Sequence, residues 1–188
     1  ASKKLLKVNP VTGKILKEID PFENASTETI LSTDPDGFPE MTWMKIVENK
    51  LWLVMQRLNS ERGYEPSNKS QLDLIDIPSD KLERILTLKG TNPVTEIKML
   101  DGELSLGEAG RLGILDGGIE LFDSNFKSLG WVTTEKELGG DIIDCAMLSK
   151  NQGVAIVAKH IYGANSHTQL VAFRRSDGKV TSILKDPG

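Results

Sequence analysis

Lys50-Leu51-Trp52-Leu53-Val54-Met55-Gln56 decides the fold. Residues 51–55 are apolar without a break, so the run lacks the alternation of a strand with one wet face. It is also too short for a buried helix, and breakers bound it: Glu48-Asn49 before it and the polar loop Asn59–Ser70 after it. The reading is a strand covered on both faces. Gly153-Val154-Ala155-Ile156-Val157-Ala158 is a second run of this kind. A two-sheet sandwich predicts alternation in most of its strands, and runs 51–55 and 154–158 fit that pattern less well.

Other short strands are predicted around these two. Thr42–Val47 precedes the first run, with Leu72–Ile77 and Leu82–Leu88 after it, joined by Pro78-Ser79-Asp80-Lys81. Further on, inner pairs are expected at 95–99 with 111–115 and at 142–147 with 153–158. Outer hairpins are expected at 119–132 and 168–184, and a short strand at 28–31. At the start, Leu5–Ile19 reads as strand, turn, strand, with Val8 opposite Ile15 and Gly13 supplying the positive φ of the turn.

The outer hairpins open their turns at Asn9, Asp76, Asp123 and Arg175, which are 67, 47 and 52 residues apart. The last two spacings fall in the range of one propeller blade; the loop at 59–70 and the segment 20–41 account for the longer first one. The predicted fold class is therefore all-β: a β-propeller of stacked four-stranded antiparallel blades, present as a partial propeller or half-ring. Residues 1–188 form one domain of about three and a half blades.

The hairpin sequence Asn9-Pro10-Val11-Thr12-Gly13-Lys14 resembles the outer hairpin of bacterial YVTN-type and related WD40-like propellers, and Arg175-Ser176-Asp177-Gly178-Lys179 is a looser copy. The resemblance implies a fold rather than an activity, and an extracytoplasmic (periplasmic or secreted) location. A closed ring needs about four blades or more. Two completions are open: the chain is a fragment of a longer propeller, or a homodimer completes one ring.

Composition narrows the functions. The net charge of −4 comes without a basic tract, which argues against nucleic acid as a partner. No apolar stretch approaches the length of a membrane span. The single cysteine, Cys145, allows no intrachain disulfide, and inert core packing is its expected role. Glycine-rich 102–118 carries no phosphate-loop pattern.

No arrangement of residues singles out one reaction, so no catalytic residue and no cofactor is assigned, and whether the protein is an enzyme stays open. The leading expectation is a noncatalytic binding or scaffolding module for a protein or glycan partner, since loops on a rigid frame carry binding surfaces. The candidate surface residues are Asp34, Asp36, Phe38 and Tyr64 in the earlier loops, and His160, Tyr162, Asn165 and His167 in the loop 159–168. The alternative is a metal-dependent, lactonase-like hydrolase with a central divalent ion. That would need three or four Asp, Glu, Asn or His side chains to converge on one ion. Asp73, Asp76, Asp141 and Asp144 would serve acid–base work if their strands bring them together at a channel mouth. Asp34-x-Asp36-Gly37 is only part of a calcium-loop pattern, and a polar turn is the simpler reading. Redox-cofactor binding on the axis is a third class.

Overall fold

The structure is a computed structural model, and it describes residues 4–20, 36–66, 69–159 and 167–185. The chain divides into two compact units, Ala1–Ile85 and Leu86–Gly188.

The first unit opens with β1 (Leu5–Val8) and β2 (Ile15–Ile19). The turn between them forms as its sequence requires. Asn9 Oδ1 accepts from the backbone N–H of Val11 at 2.9 Å and of Thr12 at 3.0 Å, and Gly13 sits at φ 69°. Val8 does face Ile15. Then come β3 (Met41–Val47), β4 (Lys50–Met55), the small strands β5 (Leu58–Asn59) and β6 (Glu65–Pro66), β7 (Gln71–Asp76) and β8 (Lys81–Thr87), the last running across the unit boundary. The larger sheet has the order β3-β4-β7-β8. Trp52–Met55 and Leu72–Ile75 are buried on both faces, while β3 and β8 are largely exposed or half-buried. The unbroken apolar run is thus an inner strand. Leu5, Leu53, Met55 and Ile75 form the core of this unit. Asp80 ties the β1–β2 hairpin to the β7–β8 turn, accepting from Lys7 Nζ at 2.9 Å and Lys17 Nζ at 3.0 Å. Replacing Asp80 by Asn is expected to speed amide exchange in β1 and β2 severalfold at low salt and to change little at high salt, because exposed lysines are screened.

The second unit holds β9 (Lys98–Leu100), β10 (Glu103–Glu108), β11 (Gly118–Phe122), β12 (Ser128–Thr134), the one-turn helix α1 (Glu135–Leu138), β13 (Asp141–Met147), β14 (Gln152–Lys159), β15 (His167–Arg174) and β16 (Val180–Lys185). They make two four-stranded sheets, β9-β10-β11-β12 and β13-β14-β15-β16. Ile119, Ile142, Cys145, Val157, Val171 and Phe173 are central to the core.

All three four-stranded sheets follow chain order, with only the small β5–β6 hairpin inserted between β4 and β7, the arrangement of a blade, and among the described residues no sheet closes into a ring. A register detail repeats as well. The third residue of the third strand is polar each time and faces the third-last residue of the second strand: Asp73 opposite Leu53, Glu120 opposite Leu106, and Gln169 opposite Val157.

One predicted inner pair is wrong. The strand expected at 111–115 does not exist; β9 pairs instead with Glu103–Glu108. Asp101 (φ 49°) and Gly102 (φ 81°) make a tight turn, while Gly110, Gly113 and Leu115 take left-handed conformations that no strand tolerates. Residues 109–117 are a loop held by carboxylates. Asp141 accepts from the Gly113 N–H at 2.9 Å on each oxygen, and Glu135 accepts from Gly117 N–H at 2.9 Å and Ile142 N–H at 2.8 Å. Helix α1 was not foreseen either. Thr134 and Glu137 cap it reciprocally, and Gly139 (φ 82°) ends it. The strand expected at 28–31 lies outside the described residues.

Candidate functional site

Among the described residues of the first unit, the connection from β4 to β7 carries its own small strands, β5 and β6. Arg57 leaves β4 at φ 57°, its N–H donating to Pro39 O at 3.3 Å. Leu58 N–H donates to Glu40 Oε2 at 2.8 Å. β5 and β6 then form a small hairpin around the 3-10 turn Ser60–Arg62, capped by Asn59 Oδ1 and closed by Gly63 at φ 69°. Asp36 binds this hairpin from outside: its Oδ2 accepts from Ser60 N–H at 2.8 Å and Ser60 Oγ at 2.5 Å, and its Oδ1 from Phe38 N–H at 2.9 Å. The result is a cross-tied loop in which Tyr64, just before β6, donates its N–H to Asn59 O at 2.8 Å and is 61% exposed, itself at φ 63°.

Beneath the loop lies a buried charge. Arg57 is 4% exposed and donates from Nη1 to Lys69 O at 3.3 Å. Asp73 is fully buried, and neither of its oxygens has a hydrogen-bond donor; Gln71 Oε1 also lacks one. Burial pushes the Asp73 carboxyl up to about 7, and the Arg57 charge only partly offsets that.

The second unit has its own buried acids. Glu120 Oε2 accepts from Lys89 N–H at 2.9 Å and Oε1 from the Ser128 hydroxyl. Glu108 lies fully buried beside Glu120, with the Gly90 N–H and the Trp131 side chain next to it. Burial, and then the neighbouring Glu120, hold its carboxyl well above the usual range. Glu135 is pushed up to about 7, again by burial first. Burial drives the Cys145 thiol up to about 12, so it packs as a small apolar group and is no thiolate nucleophile.

Of the residues expected at a binding surface, Asp36 reaches Ser60 of this loop and takes the Phe38 N–H, and Tyr64 lies farther along the same loop. Asp36 spends its carboxylate on holding that loop. His167 lies in the second unit at the start of β15, opposite Lys159. Asp34, His160, Tyr162 and Asn165 lie outside the described residues. Of the four aspartates considered for a channel mouth, Asp73 is buried without a donor, Asp141 holds Gly113 N–H, and the other two have lysine partners. Asp76 accepts from Lys50 Nζ at 2.8 Å and Ser79 N–H at 3.0 Å, and Asp144 pairs with Lys98 Nζ at 2.5 Å. Among the described residues, no three His, Cys, Asp or Glu side chains gather as metal ligands would. Sequence reading missed Arg57, which stands between Gln56 and Leu58 at the exit of the apolar run. Asp73 was legible as a charge inside an apolar run, which marks a buried polar group.

No known family description matches the chain, and no curated protein does. Among solved structures, hydrazine synthase of Kuenenia stuttgartiensis superposes with a TM-score of 0.57 at 12% identity, over 96% of this chain and 43% of that one. The fold is shared with that region. The N-terminal domain of Nup159 gives a TM-score of 0.42 at 13% identity, over 76% of this chain and 36% of that one. The chain thus spans less than half the length of either.

Among the described residues no helix is long and apolar enough to cross a membrane.

Proposed function

We propose that these residues are successive blades of a larger β-propeller that serves as a noncatalytic binding or scaffolding module for a protein partner. The observation that carries the reading is the β4–β7 loop. Asp36, Glu40 and Asn59 hold its backbone stiff, so Tyr64 is presented at little entropic cost, and a rigid aromatic on a fixed loop is the usual anchor of a recognition surface. Repetition supports the blade reading: three sheets share one strand order and one polar register position. The face of the last sheet that carries Ile156 and Leu184 is also bare, at 40% and 65% exposure, as a blade awaiting a neighbour would be.

The test is a peptide array and a glycan array probed with the wild-type protein and with Tyr64→Ala. Peptide binding that falls at least about tenfold in the variant, at unchanged thermal stability, is expected for a lost aromatic anchor. Equal binding by both proteins removes Tyr64 from the surface, and binding confined to the glycan array replaces the protein partner. A divalent ion held at one per chain in native mass measurement would restore the hydrolase reading.

A further inference from the structure

Glu108 ends β10, and Glu120 sits in the middle of β11. The register sets Leu106 opposite Glu120 and Glu108 opposite Gly118, so the two acids are diagonal neighbours on one face of the sheet. Both are buried, at 0% and 1% exposure. The packing over them is tight. A Cβ at Gly90 would lie 2.0 Å from Glu108 Oε2 and 3.1 Å from the Trp131 ring, and one at Gly118 would lie 2.8 Å from the same ring. Gly90 therefore lies directly on the Glu108 carboxyl, with Trp131 of β12 beside it.

Two neighbouring carboxyls in a buried site cannot both ionise without a large cost, so the pair retains a proton. The surroundings decide which member holds it. Glu120 has a donor on each oxygen, Lys89 N–H on Oε2 at 2.9 Å and the Ser128 hydroxyl on Oε1, and such bonds favour its charged form. At Glu108, burial outweighs the Gly90 N–H and the Trp131 side chain beside it. The charged groups around Glu108 are Glu120 on β11 and Lys89 on the segment after β8, whose Nζ lies 5.0 Å from the centre of the Trp131 ring. β12 brings the neutral Trp131 and Ser128, and Pro93, which bridges to the Glu108 backbone, carries no charge.

We propose that Glu108 and Glu120 share one proton, carried by Glu108 and donated to Glu120, and that this proton latches the segment 88–90 onto the β9–β12 sheet. While it is bound, one run of hydrogen bonds joins β10 through Glu108 and Glu120 to Lys89 N–H and to Ser128 of β12. When alkali removes it, two negative charges face each other beneath Gly90, in a space that close packing leaves no room to relax. The segment 88–90 belongs to no strand, so it lifts away first and uncovers Trp131. All of these residues belong to the second unit, and the latch depends neither on the blade reading nor on Tyr64.

The experiment titrates the whole chain from about pH 5 to about pH 10, with the glutamate carboxyls labelled with carbon-13 and tryptophan fluorescence read in parallel. One carboxyl step well above the free glutamate value of about 4.3 is expected to vanish in Glu108→Gln. The Gln amide can donate to Glu120 as the neutral acid does, so that variant stays folded. Tryptophan emission should move to longer wavelength at the same midpoint, and Trp131→Phe and Glu108→Gln should each abolish that change. Glu120→Gln separates a shared proton from a lone buried acid: it should lower the midpoint by about one pH unit or more, because the neighbouring charge is gone. Where Glu120→Gln does not fold, Ser128→Ala takes its place and should raise the midpoint, since the charged pair loses a donor. If the chain unfolds as a whole at the step, Glu108→Gln should postpone unfolding to higher pH. A midpoint that neither partner variant moves overturns the proposal. So do both carboxyls titrating in the ordinary glutamate range, emission that stays constant through the step, and Glu108→Gln unfolding at the wild-type pH.

Discussion

Acidifying this protein from about pH 8 to about pH 5 is expected to raise its unfolding free energy, and Asp73→Asn is expected to flatten that rise. The sign follows from Asp73, whose carboxyl titrates at about 7 when folded against 3.8 for the free side chain. Between those values the folded protein holds a proton that the unfolded chain has released, so stability grows as pH falls through the window. Below it both states are protonated and the gain stops. The folded protein lacks a donor for either Asp73 oxygen, so burying the charge at higher pH goes uncompensated except by the Arg57 field. A shift of about three units corresponds to at most about 4 kcal/mol. Glu135, also raised to about 7, acts in the same direction over its own window, and Glu108 does so from its ordinary value upward. Asp76 opposes them only at lower pH. Its carboxyl is held down at about 2 by Lys50 and Ser79, so its contribution is lost as pH falls below the usual carboxylate range. Urea unfolding at a series of pH values checks the prediction. A stability that falls between about pH 8 and about pH 5, or an Asp73→Asn slope as steep as wild type, refutes it.

Gly117→Ala is expected to cost about 3 kcal/mol or more and to lower the melting temperature by many degrees. A Cβ at residue 117 would lie 1.9 Å from the carbonyl oxygen of Glu108 and 2.8 Å from its carbon, and both are backbone atoms of an inner strand. The loop cannot back away. Gly117 N–H is held by Glu135 Oε2, and Gly117 O accepts from Glu135 N–H at 3.1 Å. Gly102→Ala is the control. Residue 102 sits at φ 81° with nothing within 4 Å of a new Cβ, so only the conformational penalty of about 1 kcal/mol applies. Thermal melts of the two variants separate close approach from backbone conformation. Equal losses would show that the 109–117 loop yields and that the Glu135 staple does not hold it.

The blade-like sheets were legible in the chain because burial on two faces writes itself into composition. A strand such as Leu51–Met55 must be apolar at every position, and the outer hairpins advertise their turns through Asn9-Pro10 and Thr12-Gly13. The inner pair of the β9–β12 sheet misled because its cues are short-range and ambiguous. Glu103-Leu104-Ser105-Leu106-Gly107-Glu108 has the alternation of a strand with one wet face, yet the strand is almost wholly buried. The glycines after it serve close approach and left-handed turns rather than a strand.

Local sequence determined the strands, their turns and the all-β class, since these depend on neighbours along the chain. Tertiary structure alone decided which polar groups matter. Asp36 became the tie of the Tyr64 loop, Glu135 the staple of 109–117, and Asp73 a buried acid without a donor, although in sequence all three are ordinary carboxylates. A carboxylate's role is set by what surrounds it in space, through burial and through the donors within reach, and residue type and spacing encode neither.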